Sequence, residues 1–250
     1  MLALRIRSLG RAHWLAFFGG LLACWALLFA MAIPGDLRAL EATYGAAIID
    51  ILCGGALGAQ SYPAALAMWA LMCAAMMAPT MIPALATYDD LSRVAVTGFW
   101  RLVAGYLAIW IGFSVLAAAA QVGLFRAGLI GSLGQSLSVP LSMALLIGAG
   151  IYQFSALKEA CLSRCRAPLT FFMQHWDEGP LRNGLRLGLD CLGCCWALMA
   201  LGFVGGTMNL MFMGLALVLM TLEKLPEIGR HLTRPLGVAL IGAGLALPLF

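Results

Sequence analysis

Charge is what this sequence has least of: Asp, Glu, Lys and Arg make up 10% of its 250 residues, against about 25% in an ordinary soluble domain. A chain so poor in ions cannot cover a water-facing surface, which excludes a conventional soluble globule. A basic stripe interleaved with aromatics is also missing, and nucleic acid is thereby excluded as a partner. The chain has no nucleotide-binding loop or other energy-coupling motif, so it does not read as a nucleotide-driven pump. Low-complexity linkers and internal repeats are absent too, and residues 1–250 read as a single membrane domain.

What fills the space is hydrocarbon, 63% hydrophobic residues together with 29 glycines. A bilayer core about 30 Å thick is crossed by about 20 apolar helical residues, and runs of that length recur along the chain. The fold class expected is therefore all-α, a polytopic transmembrane helix bundle of about seven spans. They run about Trp14–Ile33, Ala64–Thr87, Phe99–Val122, Val139–Leu157, Leu187–Val204, Met208–Leu222 and Pro235–Phe250. Read as one helix, Leu187 to Leu222 would be about 54 Å long, so Gly205-Gly206 is taken as a turn between two spans. Charge supports this choice. With a cytoplasmic N-terminus, 13 of the 15 basic residues lie inside and only Arg38 and Arg126 outside, as the positive-inside bias requires. Merging the pair weakens the ratio to 10 against 5. RIRSLGRAH before the first apolar run also fits a signal peptide, but a run of about 20 residues exceeds the usual 7 to 15, which favours a retained anchor.

The apolar patch Ala46–Leu57 in the outer loop is too short to span with ease and is expected on the outer interface. Trp14, Trp100 and Trp176 sit near predicted inner interfaces. Stretches such as GAG at Gly148–Gly150 and Gly242–Gly244 allow close helix approach.

The unusual chemistry is sulfur. DCLGCCWAL, Asp190 to Leu198, places Cys191, Cys194 and Cys195 on one helical face with Met199 four residues further on. These thiols lie about 5 to 12 Å inside the cytoplasmic boundary at 1.5 Å per residue. Asp190 beside them is an ionisable residue in a span, a functional candidate by default; pairing with Arg186 one turn earlier is the structural alternative.

A second sulfur stripe lies in MWALMCAAMMAPTMIP, where Met68, Met72 and Met76 recur every four residues and Cys73 pairs with Met77. Pro79 and Pro83 break the helix here, freeing the carbonyls of Ala75 and Pro79. Broken helices at membrane depth line cavities and build ion sites in transporters. The inner loop adds Cys161, Cys165 and His175. The reducing cytoplasm disfavours disulfides among these groups. On the outer side Cys53 has no evident partner.

Thiolates and thioethers select soft ions, so Cu(I) ranks above zinc, which usually takes four N or S ligands. The candidate metal residues are Cys191, Cys194, Cys195, Cys161, Cys165, His175, Met76, Met77, Met72 and Asp190. Arg164, Arg166, Arg182 and Arg186 are placed to favour the thiolates. Methionine is also a common core filler and cysteine a small hydrophobe, so packing is the competing reading. Glu223, at the inner end of the sixth span, is expected to reach an inner-loop arginine or to join the cysteine site.

MMAPTM, YQFSALKEACLSRCRAPL, DCLGCCWALM and MNLMFMGLALVLMTLEKLPE together resemble a bacterial family of predicted metal-binding integral membrane proteins, over roughly Met68 to Glu227. The resemblance implies a bacterial inner-membrane location, a metal link, and Cys161, Cys165, Cys191, Cys194 and Cys195 as ligands. The expected function is Cu(I) binding in copper transport, delivery or homeostasis, as a passive carrier, a metal-loading partner or a proton-coupled device using Asp190 or Glu223. Its expected partners are the lipid bilayer, the metal ion and a copper chaperone or metalloenzyme subunit. No catalytic residue is assigned. Two other classes compete: an assembly factor or structural subunit of a larger membrane enzyme, and a membrane thiol oxidoreductase using Cys191 and Cys194.

Overall fold

A computed structural model describes residues 12–32, 61–91, 98–131, 134–207 and 209–249. The described residues are mostly helical and contain no strand, only an isolated bridge between Ile130 and Ser136. The predicted interfacial patch Ala46–Leu57 and Cys53 lie outside them.

Helix α1 is Ala12–Ala32, α2 Tyr62–Thr80, α3 Ile82–Leu91 and α4 Phe99–Arg126. They are followed by α5 Val139–Tyr152, α6 Ala156–Arg166, α7 Pro168–His175 and α8 Pro180–Ala200. A short α9 Gly202–Gly205, then α10 Leu210–Lys224 and α11 Pro226–Ala246 complete the bundle. Among the described residues four helices are long and apolar enough to cross a membrane: Ala12–Met31, Tyr62–Thr80, Phe99–Arg126 and Pro180–Gly205. A fifth is added if α5 and α6, bent by 62°, form one broken span.

Several boundaries depart from the hydropathy reading. Proline at the first helical position has the right φ and no N–H to lose. Accordingly α8 starts at Pro180 rather than near Leu187, and α11 starts at Pro226 and runs through Pro235. The break expected after Pro79 falls at Met81, which separates α2 from α3. Of the carbonyls freed by the prolines, that of Ala75 accepts a hydrogen bond from the Trp25 indole of α1 at 3.2 Å. The Gly205-Gly206 turn is present: α9 ends at Gly205, and Gly206 takes φ +90°, a conformation open to glycine.

The tightest crossing is that of α4 with α8, and small residues make it possible. A Cβ on Gly184 would lie 3.0 Å from the Leu102 carbonyl carbon, and one on Gly188 would lie 3.0 Å from the Tyr106 carbonyl oxygen. Membrane helices associate through such close backbone contact. Its consequence here is positional, because it sets Tyr106 of α4 against Cys191 of α8. Backbone cannot yield as a side chain can, so Gly184→Val is expected to destabilise the protein by about 1–3 kcal/mol. A lower thermal midpoint in detergent checks this, and an unchanged midpoint would contradict the crossing.

Polar contacts pin the remaining helices. Trp14 of α1 donates to Asp89 of α3 at 2.9 Å, and Trp69 of α2 donates to Gln121 of α4 at 2.7 Å.

Candidate metal centre

Helical spacing brings the cysteines of α8 together, and the packing around α8 encloses them. Cys191, Cys194 and Cys195 are each 1% exposed. Their sulfurs all lie within 4.8 Å of one another, and those of Cys194 and Cys195 are 3.3 Å apart. An ion bonded to each sulfur at about 2.3 Å can bridge donors up to roughly 4.6 Å apart. The three thiols therefore need only small movements to share one ion.

A polar network surrounds one member of the trio. Tyr106 Oη lies 2.8 Å from Cys191 Sγ, and Lys224 Nζ, from the end of α10, donates to the same sulfur at 2.9 Å. Lys224 also donates to Thr80 Oγ1 at 2.7 Å. Thr80 and Tyr106 both donate to the Met77 carbonyl, at 2.8 and 3.0 Å. The broken end of α2 therefore reaches the cluster through a main-chain acceptor and a hydroxyl. Cys194 Sγ donates to the Cys191 carbonyl at 3.2 Å.

Helix α6 brings two further thiols. Cys161 is buried, and a Cβ on Gly193 would stand 2.5 Å from its sulfur. Glycine at 193 thus leaves the room that Cys161 occupies against α8. Cys165 is half-buried and stands outside the close trio. Ionic contacts clamp α6 in place. Lys158 Nζ donates to Glu223 Oε2 at 2.8 Å with both side chains 1% exposed, and Arg166 Nε donates to the Glu223 carbonyl at 2.9 Å.

Several expectations need correction. Asp190 pairs with Arg164 of α6 at 2.9 Å, whereas Arg186 bonds Glu178 at 2.6 Å. Helix α6 crosses α8 closely enough for Arg164 to displace the local i, i+4 partner. Among the described residues the cation that bonds a sulfur of the trio is Lys224, while Arg164 stands beside Cys161 and Cys165 on α6. Glu223 takes Lys158 as its side-chain partner, while the arginine it attracts bonds its backbone. His175 is not grouped with the trio. Its Nδ1 bonds the Phe171 carbonyl at 2.9 Å, and its ring lines a cleft with Asp190, Arg164 and Arg186. Met72, Met76 and Met77 are buried in the core of α2.

Sequence reading missed Lys224, Tyr106, Thr80 and Gly193 as neighbours of the cluster. Lys224 carried a usable signal, a lysine at the end of an apolar helix. The other three become significant only through helix crossings that spacing does not reveal.

Because Lys224 bonds a sulfur of the cluster, its removal should be felt by any ion that the three thiols hold. Partners that orient a ligand typically contribute about 10–100-fold to metal affinity. Lys224→Met is expected to weaken Cu(I) binding within that range, and competition with a chromophoric Cu(I) chelator measures it. Unchanged affinity would remove Lys224 from the site.

No curated protein and no solved structure gives a significant match to the chain. The family described as PpoB2, a copper chaperone, matches residues 66–247, a stretch that includes the broken α2, the clamp helix α6, the cysteine trio and Lys224. The chain belongs to this copper chaperone family.

Proposed function

We propose that the protein is an integral membrane Cu(I) carrier that holds its cargo on Cys191, Cys194 and Cys195 and passes it to a partner. The observation that carries this reading is the mutual approach of three buried thiols in a chain belonging to a copper chaperone family. Cu(I) accepts two or three sulfurs, whereas structural zinc takes four closed ligands. The polar groups next to Cys191 are the Tyr106 hydroxyl and the nitrogen of Lys224, which donates to the sulfur and to Thr80. That environment favours a low-coordinate soft ion over zinc.

Cys161 and Cys165 serve in this reading as transfer ligands, close to the trio but carried on the separate helix α6. Asp190 and His175 face the adjoining cleft, on the route by which the ion is exchanged. The methionines Met72, Met76 and Met77 continue the soft lining along α2. Passage between successive sulfur ligands requires no nucleotide. In the proposed topology seven segments cross the bacterial inner membrane with the N-terminus and the cysteine cluster toward the cytoplasm.

The oxidoreductase alternative has one observation in its favour, the polar contacts on Cys191. Against it, all three thiols are about 1% exposed, which bars a protein disulfide from the sulfur. Metal analysis of protein purified from copper-supplemented cells tests the proposal. Copper at about one ion per chain, with little zinc, is expected for a single thiolate site. Copper-free protein, or thiol exchange activity without metal, would contradict it.

A further inference from the structure

We propose that the cleft beside Asp190 is a docking site for a small carboxylate-bearing thiol, the carrier that brings Cu(I) to the cysteine cluster or takes it away. This rests on the reading of the cluster as a Cu(I) site. A soft monovalent copper ion is held by sulfur, so whatever exchanges it with buried thiols is itself a sulfur ligand. The cleft defines the rest of that ligand.

Its volume is about 320 Å³, near the lower end of small-molecule pockets, which run about 300–1,000 Å³. That space suits a tripeptide-sized thiol and is too small for a folded domain. Arg164, Arg186, His175 and Gln174 supply its polar wall, with Phe171 and Leu189 as the apolar part. Both guanidinium groups are already oriented by a carboxylate. Each spends one nitrogen on it, Nη1 of Arg164 on Asp190 and Nε of Arg186 on Glu178. Their remaining N–H groups have no hydrogen-bond partner among the described residues and can take a second carboxylate, and guanidinium forks bind carboxylates in a bidentate fashion. Both side chains are more than half exposed, at 61% and 51%, so a solute reaches them from water.

The cleft is lined by the helices that carry the cysteines. Asp190 in its wall precedes Cys191 directly, and Arg164 stands between Cys161 and Cys165 on α6. A carrier anchored by its carboxylates is thereby held against the two helices that carry Cys161, Cys165 and Cys191. The exchange is a ligand substitution: the carrier sulfur–copper bond breaks, a copper bond to a cysteine sulfur forms, and the proton leaving that cysteine passes to the carrier thiolate. Copper stays in the +1 state and no electron is transferred.

The test compares two donors on the metal-free full chain in detergent. Cu(I) is supplied as its complex with glutathione, which carries two carboxylates, or with 2-mercaptoethanol, which carries none. For Arg186→Gln and Arg164→Gln, the glutathione complex needed for half-loading should rise about tenfold or more, equivalent to about 1.4 kcal/mol. Loading from 2-mercaptoethanol and the final copper content should match the parent chain. S-methylglutathione, which keeps the carboxylates but blocks the sulfur, should compete with the first donor and not the second. That arm uses the parent chain and is independent of how the variants fold. Equal sensitivity of both donors to the variants, or no competition by S-methylglutathione, would overturn the proposal. Failure of both donors to load copper would overturn the copper reading of the cluster, and this proposal with it.

Discussion

Replacing Cys191, Cys194 and Cys195 together with serine is expected to lower bound copper by more than about tenfold, because a hydroxyl is a poor ligand for a soft ion. The fold should survive the change. Serine in a helix bonds the carbonyl four residues earlier, so the new buried hydroxyls find acceptors along α8. Far-UV circular dichroism should therefore be unchanged while metal analysis shows the loss. The single variants should follow the geometry. Cys194→Ser and Cys195→Ser, whose sulfurs are 3.3 Å apart, should lose more copper than Cys165→Ser, which removes a half-buried thiol outside the trio. Equal copper in the triple variant and the parent chain would show that the sulfurs meet only for packing.

The second large effect concerns stability. Lys158 and Glu223 form an ion pair with both side chains 1% exposed, and Glu223 Oε1 has no hydrogen-bond partner among the described residues. Removing one partner leaves the other charge buried and unpaired, which destabilises by about 3–5 kcal/mol. Lys158→Met and Glu223→Leu should each show a loss of that size in denaturant unfolding in micelles. The double variant should recover most of it, because an apolar pair of similar volume often replaces a buried ion pair at little penalty. Since this pair clamps α6, each single variant should also speed alkylation of Cys161 and Cys165. Additive losses in the double variant would contradict the account.

The division between what the sequence disclosed and what it concealed has a physical basis. Hydrophobic runs and proline positions are local, so all-helical architecture, the break near Met81 and the turn at Gly205-Gly206 were legible. The trio was legible for the same reason, since spacing along one helix puts 191, 194 and 195 on one face. Helix starts were misplaced toward the apolar runs because Pro180 and Pro226 open helices in polar sequence that hydropathy passes over.

Partners contributed by other helices were not legible. Asp190 had an arginine within one turn, yet its partner is Arg164, 26 residues away. Lys224 reaches Cys191 across 33 residues and Tyr106 reaches it across 85. These contacts depend on helix rotation and on the glycine-permitted crossing of α4 and α8, which a single sequence does not specify. Among the described residues four segments are by themselves long and apolar enough to cross a membrane, and the bent α5–α6 pair can supply a fifth. Helix α10, with 15 residues, falls short of it, and α11 carries charge through its first half.

The central claim, that the three cysteines of α8 bind one Cu(I) ion through sulfur, is tested most directly by copper-edge X-ray absorption on copper-loaded protein. The expected spectrum is that of Cu(I) with two or three sulfur scatterers, close to the about 2.3 Å typical of metal–thiolate bonds, and it should vanish in the triple serine variant. A first shell of nitrogen or oxygen, or a spectrum that persists in that variant, would contradict the account.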